Sequence, residues 1–309
     1  MKISARILVC VIVLSLATIS YAGCGDGGGG GGEISFADDS GRKIALDGPV
    51  DRVVSLAPAN TEMIYWLKAE DKLVGVTTFC DYPAAAKKKT KIGDFTTPNV
   101  EKIAAEDPQV VLATGGLQDS VVKSLEGLGI NVIVFDPTTI DGVMRDIRRA
   151  ARVLGVEGET SGRVDALEKR VADVRERARG LEARKVFFEI YNQPLTTAGK
   201  GTLIDSMITD AGALNVGAAA GGGFPPYSEE QLFNDDPFTY VSIKGTMQEP
   251  EQISQKPGYD RLSAVREGRV FVVEDNLFVR PGPRVVEGLE AIASMAHPEV
   301  FGEYEGGED

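Results

Sequence analysis

The chain predicts an α/β fold: two parallel-sheet lobes bridged by a single long helix, with a ligand cleft between them. Three observations predict it. Apolar runs of strand length alternate with amphipathic stretches of helix length in both halves, the order that yields parallel sheets covered by helices on both faces. A proline-free stretch at 159–183 carries one narrow apolar seam among charges. The stretch 95–113 returns at 224–242 in an ungapped register. The 309 residues suffice for about two domains, and 43% hydrophobic with 26% charged residues is ordinary for a globular protein.

The amino terminus reads as an address. Lys2 and Arg6 precede an apolar run at 7–19, and Ala22-Gly23-Cys24 follows. That is a signal peptide over 1–23, and its end resembles a bacterial lipobox, with Cys24 as the acylated residue. An uncleaved anchor is the competing reading. Residues 24–33 are glycine-rich, a tether with no core-forming side chain. The mature chain would then be anchored outside the cytoplasm by lipid at Cys24. Cys10 leaves with the signal, so Cys80 is left without a disulfide partner and reads as a small hydrophobe.

The first lobe, 34–158, opens with a hairpin: strands at 34–36 and 43–46 flank Asp39-Ser40-Gly41. Strands are expected at 52–56, 73–76, 110–113 and 132–135, with helices at 60–67, 99–105, 120–128 and 140–154. The helix at 60–67 is expected to be capped by Asn60 or Thr61. In the bridging helix, Val164, Leu167, Val171, Val174, Ala178 and Leu181 recur at steps of three and four. A coiled-coil dimer is the rival reading, but the seam lasts only about three heptads, the minimum for one. The second lobe, 184–309, has strands expected at 185–190, 240–243 and 270–273, and helices at 202–211, 228–233 and 285–295.

The repeat sets Phe95 on Phe224, Asn99 on Ser228, Glu101 on Glu230, Ile103 on Leu232 and Asp107-Pro108 on Asp236-Pro237. Each copy reads aromatic, cap, acid, apolar residue, Asp-Pro, strand. Ser228 with Gln231 has the spacing of a capping box. Glu101 and Glu230 stand in first helical turns, where the dipole favours an anion; that alone is also a sufficient reason for them.

Ligands of open α/β sheets bind beyond the carboxyl ends of the strands. The loops there offer Phe79, Phe95, Phe224 and Tyr227, flat apolar faces suited to a large ring-like ligand. Core packing explains any one of them equally well. Arg280 and Arg284 are candidates for anionic or amide groups at the rim. A net charge of −13 argues against nucleic acid and against a polybasic grip on lipid. The single histidine, His297, excludes a His-rich metal site. Neither a Walker loop nor a Gly-x-Ser-x-Gly elbow occurs, so no catalytic residue, cofactor or resident metal is expected. A secreted hydrolase remains a distant alternative.

Arg52-Val53-Val54-Ser55-Leu56-Ala57-Pro58-Ala59-Asn60-Thr61-Glu62 resembles the start of cobalamin-binding proteins of ABC importers, within the iron-siderophore, haem and cobalamin class of substrate-binding proteins. The resemblance continues at Asp81-Tyr82-Pro83, Asn99-Val100-Glu101, Thr197-Ala198-Gly199-Lys200, Ser228-Glu229-Glu230 and Arg280-Pro281-Gly282-Pro283-Arg284. It implies a binder rather than an enzyme, its transported ligand cobalamin or a related corrinoid. It implies lobes that move little on closing. It implies ligand contacts from Phe79, Phe95 and Phe224, where the similar cobalamin binder has one Tyr and two Trp, and from Asp275, beside the Tyr227 and Arg280 that the loops themselves offer. It implies that Glu101 and Glu230 dock on arginines of a permease dimer served by ATPase subunits. Within the same fold a ferric siderophore or haem is the alternative ligand, with Tyr82 and Tyr227 as axial candidates for haem.

Overall fold

The structure, a computed structural model, describes residues 32–244 and 250–306; the signal, Cys10, Cys24 and most of the glycine tether lie outside that range. The first element is the expected hairpin, β1 (Ile34–Ala37) antiparallel to β2 (Lys43–Leu46). Its turn is closed by the Asp38 carboxylate, which accepts the N–H groups of Ser40 and Arg42. Gly41 supplies the left-handed residue that the turn requires.

β3 (Val53–Ser55), α1 (Pro58–Trp66), β4 (Leu73–Val76), α2 (Val100–Ala105), β5 (Val110–Ala113), α3 (Asp119–Gly127), β6 (Asn131–Val134) and α4 (Ile140–Val153) build the first lobe. Its four strands are all parallel, in the order β4-β3-β5-β6. Both faces are covered, which is why these strands read as near-continuous, Val-rich apolar runs. Strand alternation sends Val53, Val110, Leu112 and Ile133 into one core. It sends Val54, Val111, Ala113, Val132 and Val134 into another. α1 begins two residues earlier than expected, at Pro58, with Ala57 at the cap position. Proline at the first helical position needs no N–H partner, and this frees Asn60 and Thr61 for other bonds. Asn60 donates to the Ala113 carbonyl at 3.1 Å and Thr61 to Ser55 Oγ at 2.8 Å.

The bridging helix, α5, runs Glu157–Ala178 rather than over 159–183. It starts directly behind the left-handed Gly155 and stops before the left-handed Gly180. The seam residues Val164, Leu167, Val171, Val174 and Ala178 are buried, and the coiled-coil alternative fails because this chain itself covers them. Val164, Leu167, Val171 and Val174 join the core that also holds Val143 and Ile147 of α4. At roughly 1.5–3 kcal/mol for each large side chain, this burial fixes the helix to the body. Ion pairs follow the same division. Arg148 of α4 grips Glu168.

The second lobe comprises β7 (Lys185–Asn192), β8 (Leu195–Thr197), α6 (Leu203–Asp210), β9 (Leu214–Asn215), α7 (Glu229–Asp235), β10 (Thr239–Ile243), α8 (Pro250–Ser254), α9 (Ser263–Arg266), β11 (Val270–Val273), α10 (Asn276–Val279), α11 (Val285–Ala296) and α12 (Pro298–Phe301). α5 is tied to this lobe as well: Arg170 pairs through both nitrogens with Glu290 of α11, and Arg175 with Asp210 of α6. β9, β10 and β11 run parallel to β7 in the order β9-β7-β10-β11, the order of the first lobe; β8 is an added antiparallel strand on the end of β7. One core runs through both lobes, holding Ile133 and Ile147 together with Phe188, Leu289 and Ile292. Each lobe also has an outer core of its own.

The repeat is structural. β5 and β10 begin at equivalent positions, Val110 and Thr239. Asp107 and Asp236, each before a proline, both adopt positive φ, at 46° and 41°. Asn99 caps α2 and Ser228 caps α7 by accepting the N–H three residues on. The capping box at Ser228 is modified: its hydroxyl lies 3.2 Å from the Gln231 side-chain oxygen, so Gln231 meets the hydroxyl and not the backbone N–H.

Behind the first lobe, Asp146 of α4 is fully buried beside Asp39. Burial, then the neighbouring Asp39, push its carboxyl up to about 7, against the pull of Arg145 and Arg149. Burial acts on Asp39 too, but its bonds to Asp146 and the Asp136 N–H, with Arg145 and Arg149, hold it below the ordinary range. The pair keeps its proton on Asp146. A carboxyl raised in the fold contributes stability that is fully present below its ordinary value and is lost as pH rises through about 7. Asp146→Asn should therefore lose this dependence. Between about pH 4 and 7 the wild type should fall relative to the variant by up to about 1.4 kcal/mol per pH unit in urea denaturation, and the two should run parallel above about pH 8. Parallel curves for the two proteins between about pH 4 and 7 would refute the assignment.

Candidate functional site

The carboxyl ends of the first lobe's strands open on a cavity of about 500 Å³ whose far wall comes from the second lobe. Ala57, Pro58, Ala59 and Asn60 follow β3, Phe79 follows β4, Thr114 follows β5, and Phe135, Asp136 and Pro137 follow β6. Phe95 comes from the turn before α2. Leu203, Asp275, Val279, Arg280 and Pro281 close the other side. Phe79 is 55% exposed at the mouth, and Phe135 is buried at the wall. The Phe95 turn is tight. The Asp94 carboxylate accepts the Thr96 N–H, and a Cβ on Gly93 would lie 2.8 Å from the Asn99 backbone nitrogen. Among the expected site residues, Phe79, Phe95, Asp275 and Arg280 meet here.

Two others do not. Tyr227 is 5% exposed and belongs to the outer core of the second lobe. Its ring packs on Phe187 at 5.1 Å and its hydroxyl donates to Asp235. Burial, then Asp235, push that hydroxyl above the usual phenol range. The expectation that Tyr227 faces a ligand is overturned: its N–H pairs with the Leu195 carbonyl after Pro225-Pro226, and this turns the side chain inward. Phe224 stands 55% exposed on the loop after Gly221-Gly222-Gly223, outside this cavity's wall.

The arginines also differ from the expectation. Arg280 reaches across the lobes to Glu62 at 3.1 Å and to Asp81 at 2.8 Å. Arg284 takes both oxygens of Glu62, at 2.9 and 2.8 Å, and its guanidinium stacks 3.9 Å from the centre of the Tyr82 ring. Glu62 is only 3% exposed in its side chain. Burial would lower Arg280 and raise Asp81, but their mutual bond, with Glu62 aiding Arg280, holds Arg280 above and Asp81 below their ordinary ranges. Two cations are thus matched by two carboxylates. Neither arginine is a free rim cation. Arg284 lies outside the cavity and lines a second one of about 590 Å³, bounded by α1, α5 and the start of α11. The smaller cavity is the candidate site because the segments after all four parallel strands of the first lobe, β3 to β6, line it.

Sequence reading assigned no role to Glu62. The available signal was a carboxylate among Thr61, Met63 and Ile64, on a stretch of α1 that is buried throughout. Glu101 and Glu230 stand exposed in the first turns of α2 and α7. His297 is buried at the end of α11, 3.2 Å from the Gly212 carbonyl. Burial lowers its pKa. Cys80 is buried as a small side chain against Thr61 and Thr77.

A body of two such lobes, joined by one helix and opening at their strand ends, is a substrate-binding architecture. Residues 53–277 match the family described as periplasmic binding protein. An uncharacterized ABC transporter substrate-binding lipoprotein, YvrC, of Bacillus subtilis (strain 168) is 31% identical over 278 residues, 87% of each chain. A vitamin B12-binding protein of Yersinia pestis (strain Pestoides F) is 30% identical, over 66% of this chain and 73% of that one. The periplasmic heme-binding protein RhuT of Roseiflexus sp. RS-1, in apo form, superposes with a TM-score of 0.71 at 25% identity, over 81% of this chain and 99% of that one. The chain belongs to the periplasmic binding protein family, whose members are substrate-binding proteins of ABC transporters.

Glu62→Gln should cost up to about 3 kcal/mol in urea denaturation, because it removes the buried carboxylate that two half-buried guanidinium groups share. Combined with Arg284→Met, the loss should be clearly less than the sum of the two single losses. Additive losses would show that the cross-lobe pairs contribute nothing as a pair.

Proposed function

We propose that this protein captures a corrinoid, cobalamin or a close relative, in the inter-lobe cleft and delivers it to an ABC importer outside the cytoplasmic membrane, tethered by lipid on Cys24. The observation that carries the reading is the cleft's wall. Phe79 and Phe95 offer ring faces over the buried Phe135, and the one cation among the described residues of the wall, Arg280, is already paired. Asp136 and Asp275 add acceptors. Such a wall suits a large ring system rimmed with neutral amides, whose N–H groups need acceptors, and it suits a polyanion poorly. The similarity to the vitamin B12-binding protein of Yersinia pestis supports this reading. Phe224, the repeat partner of Phe95, would meet the ligand from the second lobe, and Glu101 and Glu230 would meet the permease.

Haem is the second reading, favoured by the likeness to the Roseiflexus protein. Against it, no His, Tyr, Cys or Met lines the cavity among the described residues, and these are the usual axial ligands. Calorimetric titration with cyanocobalamin, dicyanocobinamide, haemin and a ferric siderophore decides. A corrinoid should bind at micromolar levels or tighter, and binding of neither corrinoid would defeat the proposal. Phe95→Ala should weaken the corrinoid by about tenfold or more, the loss expected for one stacked ring. Glu101→Arg with Glu230→Arg should abolish uptake in cells while the titrated affinity stays unchanged. Uptake that survives would remove both glutamates from the docking surface.

A further inference from the structure

Gln118 ends the short turn Gly116–Gln118 that follows β5. It is fully buried and does not line the cavity. Its carboxamide nevertheless touches three separate pieces of the cavity's rim, in each case through the backbone. The side-chain oxygen accepts the Thr114 N–H at 3.0 Å. The nitrogen donates to the Leu56 carbonyl at 2.9 Å and to the Phe95 carbonyl at 2.8 Å. The orientation of the amide follows from its partners, since two carbonyls require the NH₂ and one N–H requires the oxygen.

These partners are far apart in sequence. Leu56 closes β3 immediately before the Ala57–Asn60 wall. Thr114 follows β5, and its hydroxyl continues to Asp136 at 3.1 Å. Phe95 carries one of the ring faces. A buried carboxamide is costly unless it is satisfied, and here it is satisfied only while all three loops keep their places. Leucine would fill the volume as well in a purely structural role, but it would leave the Thr114 N–H and two carbonyls without these partners. The local sequence, Gly115-Gly116-Leu117-Gln118, gives no sign of this, because two of the three partners, Leu56 and Phe95, come from other loops.

We infer that Gln118 is a positioning residue of the cleft: it fixes the Phe95 loop to the ends of β3 and β5 and so sets the ring face for ligand capture. The second half of this statement rests on the reading of the cleft as a corrinoid site. The first half does not.

The test uses the whole mature chain labelled with 4-fluorophenylalanine and compares the wild type with Gln118→Met and Gln118→Glu. In both variants the Phe95 fluorine resonance should shift or broaden, while those of Phe187, Phe188 and Phe278 in the second lobe stay in place. Affinity for cyanocobalamin as the probe should fall about tenfold or more, with Gln118→Glu at least as impaired as Gln118→Met because it turns an oxygen toward two carbonyls. An unmoved Phe95 resonance overturns the proposal. So does a moved Phe95 resonance with unchanged affinity for a probe that the wild type binds. If the wild type binds no corrinoid, the ligand reading fails, and the Phe95 resonance still decides the anchoring. Should either variant misfold, the wild type supplies a further measurement. Its Gln118 side-chain amide protons should exchange slowly with solvent, and exchange as fast as that of a free glutamine amide would overturn the proposal.

Discussion

Glu62 is the residue on which the relation between the lobes turns. It sits on the first helix of the first lobe, yet its carboxylate is occupied by two arginines of the second. A buried carboxylate is tolerable only when paired, so the second lobe must approach to the distance of those bonds. The approach has consequences on both sides. It brings Asp275, Val279 and Pro281 opposite the loops of the first lobe and so completes the cavity. It also lets the continuous core pass from Ile147 through α5 to Leu289 and Ile292. The long helix, the shared core and the cross-lobe ion cluster thus tie the lobes together at three separate places.

The two lobes solve the same folding problem with the same parts. Each places a short capped helix, then a left-handed Asp before Pro, then the third strand of a sheet ordered 2-1-3-4. The cap fixes where the helix begins and the Asp-Pro step fixes where it ends, so the exposed glutamate between them has a defined place in each lobe. The lobes diverge at the rim. The first holds Phe95 on a tight turn anchored by Gln118. The second carries Phe224 on a glycine loop whose carbonyls meet the Gly199 and Lys200 N–H groups at 2.8 and 2.7 Å. A Cβ on Gly199 would lie 2.3 Å from the Gly221 oxygen, so only glycine admits the loop there.

Much of this was legible in the residues. Period and length gave the long strands and helices, because burial on two faces leaves continuous apolar runs and burial on one leaves a seam. What was not legible came from contacts between segments. β8, β9 and the short helices α8, α9, α10 and α12 are too brief to carry a period. The start of α1 was missed because Pro58 displaced the expected caps. Tyr227 was read as a ligand contact because an aromatic after a Gly-Pro loop looks the same whether it turns inward or outward; its N–H bond to Leu195 decides, and that partner lies on another strand. Arg280 and Arg284 were read as free cations because their carboxylates stand some two hundred residues upstream.

That last correction bears most on ligand chemistry. Two unpaired arginines at a cleft rim would create a local positive field and select anions. Paired with Glu62 and Asp81 they contribute almost no net field, and the charge remaining on the wall comes from Asp136 and Asp275. Selection then falls to shape, ring faces and hydrogen-bond acceptors. In the proposed corrinoid reading, Phe79 and Phe95 fit that division of labour, since a ring without a polar handle discriminates by flatness alone. The loops must then hold those rings at a fixed spacing, because stacking weakens quickly once two faces tilt or separate. This is the physical reason a buried carboxamide such as Gln118 earns its place beneath the rim, and why rigidity, rather than charge, is the property this cleft is built to supply.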